Sequence, residues 1–242
     1  MNSTAINLTD YTLPTVLLFG SSGLLWLVIY AIVLRDAWKH RFVAIPAFAL
    51  SANLAYEFLW GFVFRMDMGS ALADGSKAYF LLSLCMGAFM MRHGHKQFRS
   101  ALLRRHLVPL LLLSTLVWGG VLYFFSPAID DPAGVSSAAL LHLQMSALFL
   151  LMPLRLFEQD GKHGLELLSP FIGWAKLLAT ACLTLACVTH MPERHWVHAV
   201  CMLMLAFDVA YLLLHQMLKT SAAPRMDIAR RLTSGVKRPV AA

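Results

Sequence analysis

The chain has 242 residues, of which 59% are hydrophobic and only 14% are charged. Soluble globular domains carry about 25% charged residues, so the composition excludes an ordinary soluble domain and indicates an integral membrane protein. The net charge is +7, but the basic residues lie at the ends of apolar runs and in the C-terminal segment. Membrane topology explains that placement. We therefore expect a lipid bilayer as a partner and no nucleic acid.

In chain order, a polar segment over residues 1–14 is followed by seven apolar runs and a basic tail. The runs cover residues 15–34, 42–64, 76–91, 107–125, 136–154, 170–189 and 196–218. Backbone groups in lipid must pair within their own segment, so these runs are expected to be helices. The sequence predicts an all-α fold, with a seven-transmembrane helix bundle over residues 15–219. The tail over residues 220–242 is predicted to be disordered.

The Lys and Arg residues predict how the bundle is oriented. Sixteen of the twenty lie in the links and the C-terminal tail on one side of the membrane, and three lie on the other. Cytoplasmic loops are rich in Lys and Arg, so the N-terminus should lie outside and the C-terminus in the cytoplasm. Lys176 lies inside the sixth run, and we expect its side chain to extend to the cytoplasmic interface. The protein should be multi-pass, in a bacterial inner membrane or the endoplasmic reticulum.

Two carboxylic acids interrupt the apolar runs. Glu57 lies in the second run and Asp208 in the middle of the seventh. A carboxylate is costly at membrane depth, so such a residue usually faces a protein interior or a cavity and marks a functional site. From the helical rise, the two acids differ in depth by about one turn. They are expected to face one cavity if the second and seventh helices are neighbours.

Helical spacing places polar and aromatic residues beside each acid. The residues predicted to bind a substrate are Asn53, Tyr56, Trp60, His142, Gln144, Phe207 and Tyr211. Asn53 is expected to hydrogen-bond the Glu57 carboxyl group, and the aromatic rings to stabilise a passing cation. Burial disfavours a charged carboxylate, so Glu57 is expected to hold a proton and to be capable of general acid catalysis. A structural role in interhelical hydrogen bonds stays open for each of these residues.

The layout resembles the small seven-helix integral-membrane terpene cyclases of fungal meroterpenoid and indole-diterpene pathways and their bacterial relatives. The resemblance rests on seven runs over nearly the whole chain, on Asn53-x-x-Tyr56-Glu57 with a following aromatic, and on Asp208-x-x-Tyr211. It implies that Glu57 and Asp208 are the essential pair of acids. The family usually has Trp directly before the first acid, where this chain has Tyr56.

The resemblance implies a cyclisation that begins with protonation. An acid protonates an epoxide or a terminal alkene of a hydrophobic prenylated substrate, and a carbocation then runs through the polyene. An upstream prenyltransferase or epoxidase would supply that substrate. Asp130 and Asp131 precede Pro132 and lack the spaced partner acids of a magnesium–diphosphate site. The reaction that the resemblance implies needs no metal and no redox cofactor, so none is expected.

Two other functions stay open from the sequence. A seven-helix carrier or sensor would use Glu57 and Asp208 as a proton relay, because intramembrane acids commonly serve that purpose. A scaffold subunit of a biosynthetic complex would use both acids only to hold helices together. A proton relay predicts proton-linked flux across liposome membranes and no cyclised product. A cyclase predicts cyclised product and no such flux.

Overall fold

The structure is a computed structural model that describes residues 5–98 and 100–221, and its regular elements within these ranges are helical. Each of the seven apolar runs falls on a helix, and two short helices lie in the links. The helices described are α1 (Leu13–His40), α2 (Ala47–Phe58), α3 (Ser70–His93), α4 (Ala101–Arg105), α5 (Leu107–Ala128), α6 (Val135–Asp160), α7 (Lys162–Leu165), α8 (Pro170–His190) and α9 (His195–Thr220). The predicted polar segment 1–14 thus ends slightly later than the point where α1 begins.

Five of the helices are long and apolar enough to cross a membrane, namely α1, α5, α6, α8 and α9. A shorter apolar helix over Ala47–Val63 combines α2 with the turn that follows it. The part of the chain that the structure describes is all-helical, and these five helices are consistent with an integral membrane protein. The number of seven spans and the orientation of the termini stay predictions. Nearly all of the predicted tail, from residue 222 onward, lies outside the described residues.

Local signals account for the ends of the helices that enclose the site. Thr12 caps α1 by accepting a hydrogen bond from the backbone of Thr15, and Pro14 lies in the first turn. The same helix ends at Arg41 in the left-handed conformation. Asp131 caps α6, because its carboxylate accepts hydrogen bonds from two backbone N–H groups of the first turn, at 3.0 and 2.8 Å.

The helix pairs show which elements can share a site. α1 packs along α8, and α9 packs along both α6 and α8. α2 packs along α3, α5 and, over a shorter contact, α6. Within the described residues α2 and α9 do not pack along each other, so the adjacency expected for the second and seventh helices is not found. α6 contacts both of them, and α1 together with α8 forms a second connection, because Tyr30 on α1 donates to Glu57 and α1 packs along α8.

The N-terminal segment and every second link between the long helices meet at the same end of the bundle. Asn7 donates its backbone N–H to Met68 at 3.0 Å, and Asp67 donates to Pro132 at 3.2 Å. Arg194 donates to the backbone oxygen of Asp130 at 2.6 Å. The N-terminal segment and the α2–α3, α5–α6 and α8–α9 links therefore lie together. At the other end, the Gln97 side chain donates to backbone oxygens of the α1–α2 link.

Candidate active site

A cavity of about 560 Å³ lies between α1, α2, α3 and α6. Sites for small molecules typically measure about 300–1,000 Å³. Apolar side chains make up most of its wall. The larger polar and aromatic residues of the wall are Trp26, Tyr30, Asn53, Tyr56, Glu57, Tyr79 and His142. The cavity can hold a hydrophobic ligand and presents a few polar groups to it.

Glu57 is buried in this wall, with 5% of its surface exposed. Its Oε1 accepts a hydrogen bond from the Tyr30 hydroxyl at 2.8 Å, and Asn53 Nδ2 donates to that hydroxyl at 2.7 Å. Asn53 therefore reaches the carboxyl group through Tyr30 and not directly, as had been expected from the helical spacing. Ser83 lies beside the carboxyl group. Oε2 has no hydrogen-bond partner of normal geometry among the described residues.

The chain leaves regular α-helical geometry two residues after Glu57. Residues Leu59–Val63 form a π-helical turn, in which Phe64 donates its N–H to the Leu59 oxygen at 2.7 Å. Such turns add one residue to a helix and occur frequently at functional sites. The turn changes which side chains of this helix face the cavity, because each later residue is rotated relative to a regular helix.

Tyr56 and Trp60 hold this part of α2 against the start of α6. The Tyr56 hydroxyl donates to the backbone oxygen of Gly134 at 3.1 Å. A Cβ on Gly134 would lie 2.6 Å from the Trp60 ring, and the φ of +73° also favours glycine there. Trp60 lines a separate pocket with Phe64 and the α5–α6 link. The α2–α6 contact thus fixes the position of the helix that carries Glu57.

Aromatic rings continue the wall away from Glu57. The rings of Tyr30 and Tyr79 are 5.6 Å apart, and those of Tyr30 and Trp26 are 6.1 Å apart. The Trp26 ring in turn lies 4.9 Å from the His142 ring. Aromatic faces attract cations electrostatically, so this wall can stabilise positive charge within the cavity.

Asp208 has different surroundings, in a cluster between α6, α8 and α9. Its Oδ1 is ion-paired with Lys176 Nζ, and its Oδ2 accepts a hydrogen bond from Thr180 at 2.7 Å. Lys176 also donates to the Ser146 hydroxyl at 2.6 Å. Asp208 and Lys176 are each 2% exposed. The prediction that Lys176 extends to the cytoplasmic interface is therefore wrong, because it is buried against a carboxylate.

The predicted site residues fall into two groups. Those that line the cavity together are Glu57, Asn53, Tyr56 and His142. Those outside the described lining are Asp208, Trp60, Gln144, Phe207 and Tyr211. Tyr211 packs its ring against Phe149 and the backbone of Gly173. The cavity expected to be common to both acids is thus lined by one of them.

Residues 10–221 match the family of Pyr4-like transmembrane terpene cyclases. The match begins before α1 and continues past the end of α9, so it includes every helix described above. The chain belongs to this family. It is thus an integral membrane enzyme that cyclises terpenoids, as its resemblance to the membrane terpene cyclases predicted. Comparison with curated proteins and with solved structures finds no match.

Three aromatic residues that line the cavity of this terpene cyclase were not predicted, namely Trp26, Tyr30 and Tyr79, and neither was the pairing of Lys176 with Asp208. The ion pair of Lys176 could have been predicted from the sequence, because a lysine and an aspartate in neighbouring apolar runs indicate such a pair. Tyr30 and Trp26 lie in the first run, where aromatic residues are common, and nothing in the sequence distinguishes them. Within residues 5–98 and 100–221, no group of three or more His, Cys, Asp or Glu is placed to hold a metal ion.

Proposed function

We propose that this terpene cyclase protonates a hydrophobic prenylated substrate with Glu57 as the general acid. The observation that carries the proposal is the environment of the Glu57 carboxyl group. It lies in the wall of a largely apolar cavity, and Oε2 lacks a hydrogen-bond partner of normal geometry among the described residues, with the Ser83 hydroxyl beside the group. Removal from water without a compensating cation favours the neutral, protonated form of a carboxyl group. The proton would reside on Oε2.

The proposed first step moves one proton and one electron pair. Glu57 Oε2 gives its proton to the terminal epoxide oxygen or the terminal alkene of the substrate. Opening of the C–O bond, or addition to the alkene, leaves a tertiary carbocation that the neighbouring double bonds attack in turn. The carboxylate that remains keeps the hydrogen bond from Tyr30, and hydrogen bonds to a charged acceptor are the stronger kind.

The cavity wall contributes to the later steps through its shape and its rings. Apolar side chains exclude water, which would otherwise capture the cation, and fold the polyene into a reactive conformer. The rings of Tyr30, Tyr79 and Trp26 can stabilise the moving charge. Trp26 Nε1 has no hydrogen-bond partner among the described residues and is available to an oxygen atom of the substrate.

Asp208 receives a positioning role in this proposal and not that of the acid. Its carboxylate is matched by the Lys176 ammonium group and accepts a further hydrogen bond from Thr180. Both of its oxygens are thus engaged by protein groups, and Asp208 is not among the residues that line the cavity. Asp208 instead ties α9 to α8 and, through Lys176 and Ser146, to α6.

The proposal is tested with membranes that carry the enzyme and with farnesyl- and geranylgeranyl-substituted phenols and their terminal epoxides as probes. The Glu57→Gln variant is expected to form cyclised product at least ~100-fold more slowly, since a general acid contributes about 10²–10⁴-fold. Glu193→Gln makes the same change at an exposed position in the α8–α9 link and should retain full activity. Turnover by Glu57→Gln within a few-fold of the parent enzyme would contradict the role of Glu57.

A further inference from the structure

His142 occupies the far part of the wall that begins at Glu57. Tyr30 and Trp26 lie one turn apart on α1, with the Glu57 carboxyl group beside Tyr30 and the His142 ring beside Trp26. The four residues from Trp26 to Tyr30 correspond to a rise of about 6 Å. The acid and the imidazole therefore face one cavity, with two aromatic rings between them.

The His142 ring has a nitrogen that the protein does not use. Its Nδ1 is buried and has no hydrogen-bond partner among the described residues. Buried polar atoms of folded proteins are nearly always hydrogen-bonded, so an exception on the wall of a cavity requires an explanation. In the tautomer that carries its hydrogen on Nε2, Nδ1 offers a lone pair and is a proton acceptor.

The other groups around His142 are the members of the buried ion pair. His142 interacts electrostatically with both Lys176 and Asp208, which lie on α8 and α9. The ammonium group opposes a positive charge on the imidazole and the carboxylate favours it. Burial itself also disfavours the charged ring, so Asp208 is the group of this set that favours a proton on His142. Trp26 covers one face of the ring and can attract the same charge.

From this arrangement we infer that His142 is the base that ends the cyclisation. The inference rests on the proposed function, in which Glu57 starts the reaction. His142 Nδ1 takes a proton from the carbon next to the final cationic centre. The C–H electron pair becomes the new C=C bond, and the product leaves as an alkene. The enzyme is reset when the imidazolium gives up its proton and Glu57 regains one, directly or through solvent.

The inference predicts a change in the products more than in the rate. A base that acts after the first committed step is not needed for consumption of the substrate. In the His142→Gln variant, consumption of the epoxidised farnesyl phenol should stay within a few-fold of the parent enzyme. The fraction of deprotonated alkene should fall about 10-fold in favour of alcohols and partly cyclised products. His198→Gln makes the same change outside the cavity and should leave the product pattern unchanged.

A second measurement separates a chemical role from a structural one. Imidazole added to the His142→Ala variant should restore the alkene fraction, because a free base can occupy the space that the side chain left. N-methylpyrrole has a similar size and no basic nitrogen, so it should not restore that fraction. The inference is overturned by an unchanged product pattern in His142→Gln, by loss of substrate consumption in both variants, or by equal effects of the two additives.

The two proposals fail in distinguishable ways. If Glu57→Gln keeps its turnover, the proposed function is wrong whatever His142 does. If Glu57→Gln is inactive while His142→Gln makes the parent products in the parent ratio, the proposed function stands and only the role of His142 is rejected.

Discussion

The two intramembrane acids differ in what compensates their burial. Asp208 is matched by the Lys176 ammonium group and a threonine hydroxyl, whereas Glu57 has a tyrosine hydroxyl and one oxygen without a hydrogen bond. Sequence alone could identify both acids, because a carboxyl group is conspicuous in an apolar run. It could not assign their states, because these depend on side chains from other helices. Only the structure distinguishes a paired carboxylate from an acid that faces a cavity.

The ion pair makes a prediction about stability. Lys176→Met leaves the Asp208 carboxylate buried without a cation, and Asp208→Asn leaves the Lys176 ammonium group without an anion. Removal of one partner of a buried pair typically costs about 3–5 kcal/mol, and we expect each variant to lose that much free energy of unfolding. The double variant buries neither charge, so it should lose less than either single variant. Unfolding in detergent, followed by circular dichroism, measures all three.

An exposed pair on α3 provides the control for this experiment. Lys77 Nζ lies 2.7 Å from Asp74 Oδ1, and both side chains are exposed. Exposed pairs contribute about 0–1 kcal/mol, so Lys77→Met should change the free energy of unfolding by no more than that. If the losses of Lys176→Met and Asp208→Asn simply add in the double variant, the two side chains do not interact and the buried pair is rejected.

At the scale of helices, the apolar runs predicted which segments are helical, and the structure places a helix on every one. The order in which helices pack was not predictable, because an apolar surface in lipid fits many neighbours. The π-helical turn over Leu59–Val63 was also not predictable, since no proline or glycine pattern is specific for it. Both features decide which acid faces the cavity, so the site was predicted less completely than the helices.

A close approach of α8 and α9 brings the ion pair together, and one glycine permits it. A Cβ on Gly173 would lie 2.6 Å from the Tyr211 ring and 2.8 Å from the Leu212 side chain. Lys176 and Asp208 each lie three residues away, on the same faces of the two helices. Gly173→Ala should therefore push the helices apart and weaken the pair. We expect a loss of about 1–3 kcal/mol in the free energy of unfolding, as in other overpacked sites.

Gly119 on α5 is a matched position for that substitution. It also lies within a helix, but a Cβ there would have nothing within 4 Å. Alanine favours helices over glycine by about 1 kcal/mol, so Gly119→Ala should leave the protein as stable or slightly more stable. Both variants are measured by unfolding in detergent. If Gly173→Ala is no less stable than Gly119→Ala, the contact with Tyr211 does not limit the approach of the helices.

For the whole molecule, the number of membrane crossings determines which links lie on the same side of the membrane, and the structure shows which links meet at one end of the bundle. The N-terminal segment contacts the α2–α3 link, which contacts the α5–α6 link, and the α8–α9 link contacts the latter. Seven crossings place these four segments on one side of the membrane. Five crossings, with α2 and α3 as a re-entrant hairpin, also leave the N-terminus outside and the C-terminus in the cytoplasm. The α2–α3 link is thus the segment whose position separates the two topologies.

A single cysteine in that link tests the seven-span topology. Arg65 is exposed there, and Lys162 is exposed at the start of α7 at the other end. In a background with the four native cysteines replaced, a membrane-impermeant maleimide added to intact cells should label Arg65→Cys. It should label Lys162→Cys only after permeabilisation. If Arg65→Cys also requires permeabilisation, α2 and α3 form a re-entrant hairpin.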